Sequence, residues 1–410
     1  LRQSRRLFGH RAGGVTDFAQ TLVHRALRRL AALLVLAIPV SFLGRAGATW
    51  GASPSPPVPP REPRDLTVTP GAGERDAAER AESAVVLVVL DGVRWQEVFG
   101  GADRALAAER GMNPLAWASP RRLMPNLQHL LDTRAVALGA PGHGAPISAT
   151  GPSFISMPGY LEIFAGRPDF ACETNDCVRP VAHSVVDDVL ESSGADDVAV
   201  VSSWPSIARA SSADPSRLVV SAGRKRVERS ERLRADEATA AALDRGAAVK
   251  SFPGEGDYRP DAFTARVALR VLATERPRLL FVGLGDADEY GHRNDYHGYL
   301  EAVHASDAFL GDLFATLDQM GARGRHTTVL VTADHGRAYD FKDHGGRYPE
   351  SGRVWLVAAG GDIPGHGLVA ASRRHTLSDV APTVRALLGM GGEGTPIAEV
   401  GPFAGTRAGP

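Results

Sequence analysis

The chain has 410 residues, of which 43% are hydrophobic and 23% charged, with a formal net charge of −1. That length suits one large α/β domain or two of average size, with enough apolar residues to bury a large share of the surface. The charge balance carries no nucleic-acid-binding signal: the only lysines are Lys225, Lys250 and Lys342, and the many arginines are scattered rather than gathered in a patch.

In chain order, the first segment is basic (Arg2, Arg5, Arg6, Arg11, Arg25, Arg28, Arg29). An uncharged apolar run follows over residues 30–44, then the small-x-small sequence Ala46-Gly47-Ala48. This is the order of a secretory signal, and the run is shorter than the roughly 20 apolar residues of a membrane span. Residues 1–48 are expected to be a signal peptide or, if retained, an N-terminal anchor, so the protein is expected in the periplasm or outside the cell. Residues 49–82, rich in Pro, Gly, Ser and charge, read as a flexible linker.

From residue 83 the pattern changes. Short β-branched apolar runs at 85–90, 198–201, 279–282, 328–331 and 354–357 read as strands buried on both faces. Between them, residues 262–273 and 300–317 carry apolar side chains at spacings of three and four, as helices do. Residues 378–388 read as a last helix, with Ser378 as N-cap and Gly389 just past its end. Alternating strands and helices predict an α/β fold, doubly wound, with a mostly parallel central sheet flanked by helices. The charged segment 211–254 has the position and length of a cap over the active site.

In such sheets ligands bind beyond the carboxyl ends of the strands. Asp91 follows the first run, Asp286, Asp288 and His292 follow the third, and Asp334 and His335 follow the fourth. Carboxylate and imidazole are ordinary zinc ligands, and carboxylates that converge need a cation between them. A nucleophile is offered by Ser156, just before the Pro158-Gly159 turn. Cys172 and Cys177 read as a small-loop disulfide in an exported protein or as two buried thiols.

Taken in order, Val88-Val89-Leu90-Asp91-Gly92, Ser156-Met157-Pro158, Asp288-Glu289-Tyr290-Gly291-His292, Asp334-His335-Gly336, Asp343-His344-Gly345 and the ending Ser378-Asp379-Val380-Ala381-Pro382-Thr383 resemble the alkaline phosphatase superfamily. Within it they resemble the nucleotide pyrophosphatase/phosphodiesterase-like branch, over residues 85–388. The resemblance implies two divalent metal ions, zinc for preference. One would be held by Asp288, His292 and His344, the other by Asp91, Asp334, His335 and the Ser156 oxygen. Asp286 and His366 are the rivals to Asp288 and His344. It further implies a covalent phosphoserine at Ser156 and a phosphate-oxygen contact from Asn175. A sulfatase maturation motif would need Arg where Tyr160 stands. The expected substrate is a small-molecule phosphate mono- or diester, with membrane contact only if the N-terminal segment is uncleaved. The alternatives are a sulfatase-like hydrolase and a metal-stabilised binding protein without catalysis. Arg337 is either a further phosphate contact or, more in keeping with arginine in general, a solvated surface residue.

Overall fold

The computed structural model describes residues 83–401 apart from 114, 178–182, 225, 226, 228 and 362; the leader and linker lie outside the described residues. The apolar runs become strands β1 (Ala84–Leu90), β2 (Ala135–Leu138), β3 (Ile147–Ser148), β4 (Val198–Ser202) and β5 (Val219–Ala222). They continue with β6 (Leu279–Leu284), β7 (Thr327–Thr332), β8 (Arg353–Val354), β9 (Leu356–Gly360), β10 (Gly367–Leu368) and β11 (His375–Thr376). Eight form one sheet in the order β10-β2-β9-β7-β1-β6-β4-β5, and β11-β3-β8 form a small second sheet. In the large sheet β9 alone runs against its neighbours, so the expected mostly parallel α/β sheet is the one formed.

Every residue of β1, β6 and β7 is buried, which is why they read as unbroken apolar runs rather than alternating ones. Five helices matter for the site: α1 (Ser156–Ala165), α2 (Asp261–Glu275), α3 (Asp286–His292), α4 (Tyr296–Gln319) and α5 (Val380–Leu387). The spacing read from sequence is real in α2, which buries Thr264, Val267, Ala268, Val271 and Leu272. The last helix begins differently from the expectation. A 3₁₀ turn over Leu377–Asp379 precedes α5, and Thr376 with Asp379 makes the capping box. Ser378 instead gives its backbone N–H and hydroxyl to Glu162 of α1.

Segment 211–254 is joined to the sheet and the core. It supplies the edge strand β5, and its helix Glu237–Ala248 lies against α2. Its apolar positions Val219, Val220, Leu233 and Leu243 belong to the common core. Among the described residues no helix is long and apolar enough to cross a membrane.

The sheet order positions the chemistry. β1 lies between β6 and β7, parallel to both, with Leu90 opposite Leu284 and Val89 opposite Thr332. The three carboxyl ends therefore emerge side by side, and the residues that follow them share one crevice.

Candidate active site

Two glycines allow the crevice to close. Gly92 turns the chain after β1 with φ +62°, and a Cβ there would collide with the Asp288 carboxylate. Gly159, in the first turn of α1, presses against the Asp334 carbonyl, where a Cβ would lie 2.5 Å from the oxygen. The helix that begins at Ser156 can thus approach the sheet end closely.

Ser156 is the first residue of α1 and is buried. Its Oγ lies 3.4 Å from Asp91 Oδ1 and 3.2 Å from His335 Nε2. His335 Nδ1 donates to the Gly336 carbonyl at 2.8 Å, so its Nε2 lone pair faces inward, 3.4 Å from Asp91 Oδ1 and 3.5 Å from Asp334 Oδ2. Asp334 Oδ1 accepts from Gly92 N at 3.2 Å, while its Oδ2 is buried without a hydrogen-bond partner. Burial, joined by Asp334 and Asp288, pushes the Asp91 carboxyl well above its ordinary range; burial and Asp288 do the same to Asp334. Burial, with the neighbouring His344, holds His335 well below the usual imidazole value.

The second half lies beside the first. His344 Nδ1 donates to the Phe154 carbonyl at 3.2 Å, leaving Nε2 facing His292 Nε2 at 3.2 Å. His292 Nε2 is 2.9 Å from Asp288 Oδ2, and Asp288 Oδ1 pairs with Arg337. Burial works against the charge on Asp288, but Arg337, His292 and His344 outweigh it and hold the carboxyl well below its ordinary range. The His335 and His344 rings stack at 4.0 Å, joining the two halves.

Two groups have ligand atoms close enough to share an ion: Asp91, Asp334 and His335, and Asp288, His335 and His344. An orphaned carboxylate oxygen, carboxylates that resist ionising together and inward imidazole lone pairs are what a divalent cation would satisfy. The residues present fit such ions.

Asp286 is turned away from the crevice, with Oδ1 accepting from Tyr258 at 2.8 Å and Oδ2 from Asp261 N at 3.2 Å. His366 is exposed on a loop outside both groups. Asn175 Oδ1 accepts from Met157 N at 2.9 Å, which commits that oxygen and leaves its Nδ2 donors. Arg337 is not a surface residue: it is 1% exposed and bonds the carbonyls of Phe341 and Lys342 as well as Asp288. His375, far from any ligand motif, is buried between Asp379 at 2.9 Å and Glu399 at 3.2 Å. Cys172 and Cys177 form a disulfide.

A cavity of about 480 Å³ opens onto Ser156, Asp91, Asp288 and His292. Asn175, Trp204, Arg209, Tyr258 and Glu289 also line it. Trp204 and Arg209 escaped the sequence reading. Their only signal was position, just after β4, whose neighbour β6 leads into the helix that carries Asp288.

Residues 259–391 match the model of the Metalloenzyme superfamily. Its members are metal-dependent enzymes acting on phosphate or sulfate esters, mutases among them. Two curated relatives are similar over shorter stretches. A 2,3-bisphosphoglycerate-independent phosphoglycerate mutase of Picosynechococcus sp. is 30% identical over 125 residues, 27% of this chain and 22% of that protein. A phosphopentomutase of Methylobacterium radiotolerans is 36% identical over 143 residues, 33% of this chain and 32% of that protein. The chain thus spans about a third or less of the length of these relatives. Among solved structures, the lipoteichoic acid synthase LtaP from Listeria monocytogenes aligns with TM-score 0.49 at 12% identity, covering 77% of this chain and 74% of that one.

Proposed function

We propose that the protein is an exported two-metal hydrolase of phosphate mono- or diesters that works through a covalent phosphoserine at Ser156. The supporting observation is the placement of Ser156 Oγ at the start of α1, within 3.4 Å of both Asp91 Oδ1 and His335 Nε2, the latter also facing the orphaned Asp334 Oδ2.

Asp91, Asp334 and His335, with Ser156, would hold one zinc ion, and Asp288, His292 and His344 the other. When bound, the ions favour the serine alkoxide and balance the charge of the phosphoryl group. Ser156 Oγ attacks phosphorus, the Oγ–P bond forms and the ester P–O bond breaks. The hydroxyl proton has an acceptor within reach in Asp91 Oδ1, and the departing ester oxygen takes up a proton and leaves as the alcohol. Water then cleaves the Oγ–P bond and restores the serine. Asn175 Nδ2 donates to a phosphate oxygen. Arg337, tied to Asp288 and two carbonyls, orients the ligand carboxylate instead of meeting substrate. Arg209, which lines the same cavity, is the guanidinium available to an anionic ester. The disulfide accords with an oxidising compartment and hence with export.

The similarity to two mutases favours a second reading, in which the phosphoryl group passes to another hydroxyl rather than to water. One assay separates the readings. Zinc-loaded protein and Ser156→Ala are compared on p-nitrophenyl phosphate, bis-p-nitrophenyl phosphate and p-nitrophenyl sulfate, with phosphate release followed directly. Ser156-dependent nitrophenol with matching free phosphate is expected for the monoester. Nitrophenol without free phosphate, rising with added alcohol, would favour transfer. Turnover of the sulfate alone would overturn the phosphoesterase reading.

A further inference from the structure

Tyr160 stands one helical turn after Ser156 on α1, so the two side chains share a face. It is 1% exposed, and its ring packs edge-on to Phe281 of β6 at 6.2 Å. Its hydroxyl donates to Asp91 Oδ2 at 3.1 Å, while Ser156 Oγ lies 3.4 Å from Asp91 Oδ1. One helix face therefore touches both oxygens of a single carboxylate. Asp334 is arranged the same way: Gly92 N binds Oδ1, and Oδ2 is left bare. In each residue one oxygen is tied to the protein and the other is turned toward His335 Nε2, at 3.4 Å from Asp91 Oδ1 and 3.5 Å from Asp334 Oδ2.

We propose that Tyr160 is a positioning residue for the metal centre: its hydroxyl fixes the rotation of the Asp91 carboxylate, so that Oδ1 alone is presented to the cation and to Ser156. This rests on reading Asp91 as a metal ligand. The physical reason is entropic and geometric. A carboxylate free to rotate offers either oxygen and must be ordered by the ion, whereas one anchored by a rigid phenol is already aimed. Because Tyr160 and Ser156 share a helix, the same element sets the nucleophile and the carboxylate it meets.

The test uses Tyr160→Phe, which removes one oxygen and keeps the ring. Its control is Tyr299→Phe, which also removes a buried hydroxyl, one that accepts from Arg94 N and donates to Glu97, away from the metal-ligand groups. Zinc affinity is measured by competition with a chromophoric chelator on metal-stripped protein, alongside thermal melting. Asp91→Asn identifies the binding step that depends on this carboxylate. In Tyr160→Phe that step is expected to weaken about 10- to 100-fold, the range for outer hydrogen-bond partners of metal ligands. Tyr299→Phe should melt lower with zinc affinity unchanged. Excess zinc should restore most of the Tyr160→Phe turnover. Wild-type zinc affinity in Tyr160→Phe, or an equal loss in Tyr299→Phe, would overturn the proposal. If the wild-type protein binds no zinc, the metal reading itself falls, and this proposal with it.

Discussion

The two halves of the site solve the problem of buried charge in opposite ways. Asp91, Asp334 and His335 are all buried, and among the described residues no arginine or lysine is paired with either carboxylate. Their charge is compensated only by a few hydrogen bonds, and one oxygen has none. Asp288 is equally deep but has Arg337 as counter-ion, with His292, its side chain 48% exposed, on the other oxygen. A carboxylate with its own cation is content without metal; a carboxylate pair without one is not. The comparison teaches that the Asp91 half gains more from a divalent ion than the Asp288 half, so the two ions should bind with unequal affinity.

The largest expected effect does not touch this asymmetry. Ser156→Ala should cut kcat/KM by at least about 10³-fold, as loss of a nucleophile does, while zinc stoichiometry on the chelator assay stays at two per chain. The next effects break the comparison directly. Asp334→Asn should weaken the tighter zinc by more than about 100-fold, yet raise the melting temperature of metal-free protein, because it removes an uncompensated buried charge. Asp288→Asn should do the reverse to metal-free protein, stranding buried Arg337 at a cost of about 3–5 kcal/mol. Melting both variants in chelator is decisive: shifts of the same sign would abolish the distinction between the halves.

The pH dependence follows with its sign. The Asp288 carboxyl is held below its ordinary value of 3.8 in the folded protein. Its stabilisation is therefore fully present above 3.8 and is lost as pH falls through the depressed value. The deficit of Asp288→Asn relative to wild type should shrink in acid melts below 3.8. The smallest effect is at Gly159→Ala. The added methyl meets the Asp334 carbonyl, so about 1–3 kcal/mol of stability should go, together with part of kcat as α1 shifts Ser156.

Much of this was legible before any coordinates. That Asp91, Asp288, His292, Asp334 and His335 lie together was legible because neighbouring parallel strands bring the residues just past their carboxyl ends into one crevice, and buried strands announce themselves as unbroken apolar runs. Ser156 was legible from the turn residues after it. Tyr160 was not read as a partner of Asp91, although its i+4 spacing from Ser156 would have placed it beside the nucleophile had α1 been drawn from residue 156. Arg337 was read as solvated because arginine is so in general. Only the fold shows Asp288 and two backbone carbonyls holding it inside. The edge strand within segment 211–254 went unread because a four-residue strand is hard to see among charged residues.

By itself the sequence determined the local elements and the donor atoms, since strand burial, helix spacing and ligand chemistry are written in short windows. Tertiary structure alone decided that β1 lies between β6 and β7, which brings residues 91, 288 and 334 into one crevice. It also decided which oxygen of each carboxylate is tied and which is bare, and which nitrogen of His335 and His344 points inward. Those choices depend on partners up to some 240 residues apart in the chain, such as Gly92 and Asp334, and no local pattern encodes a partner that distant.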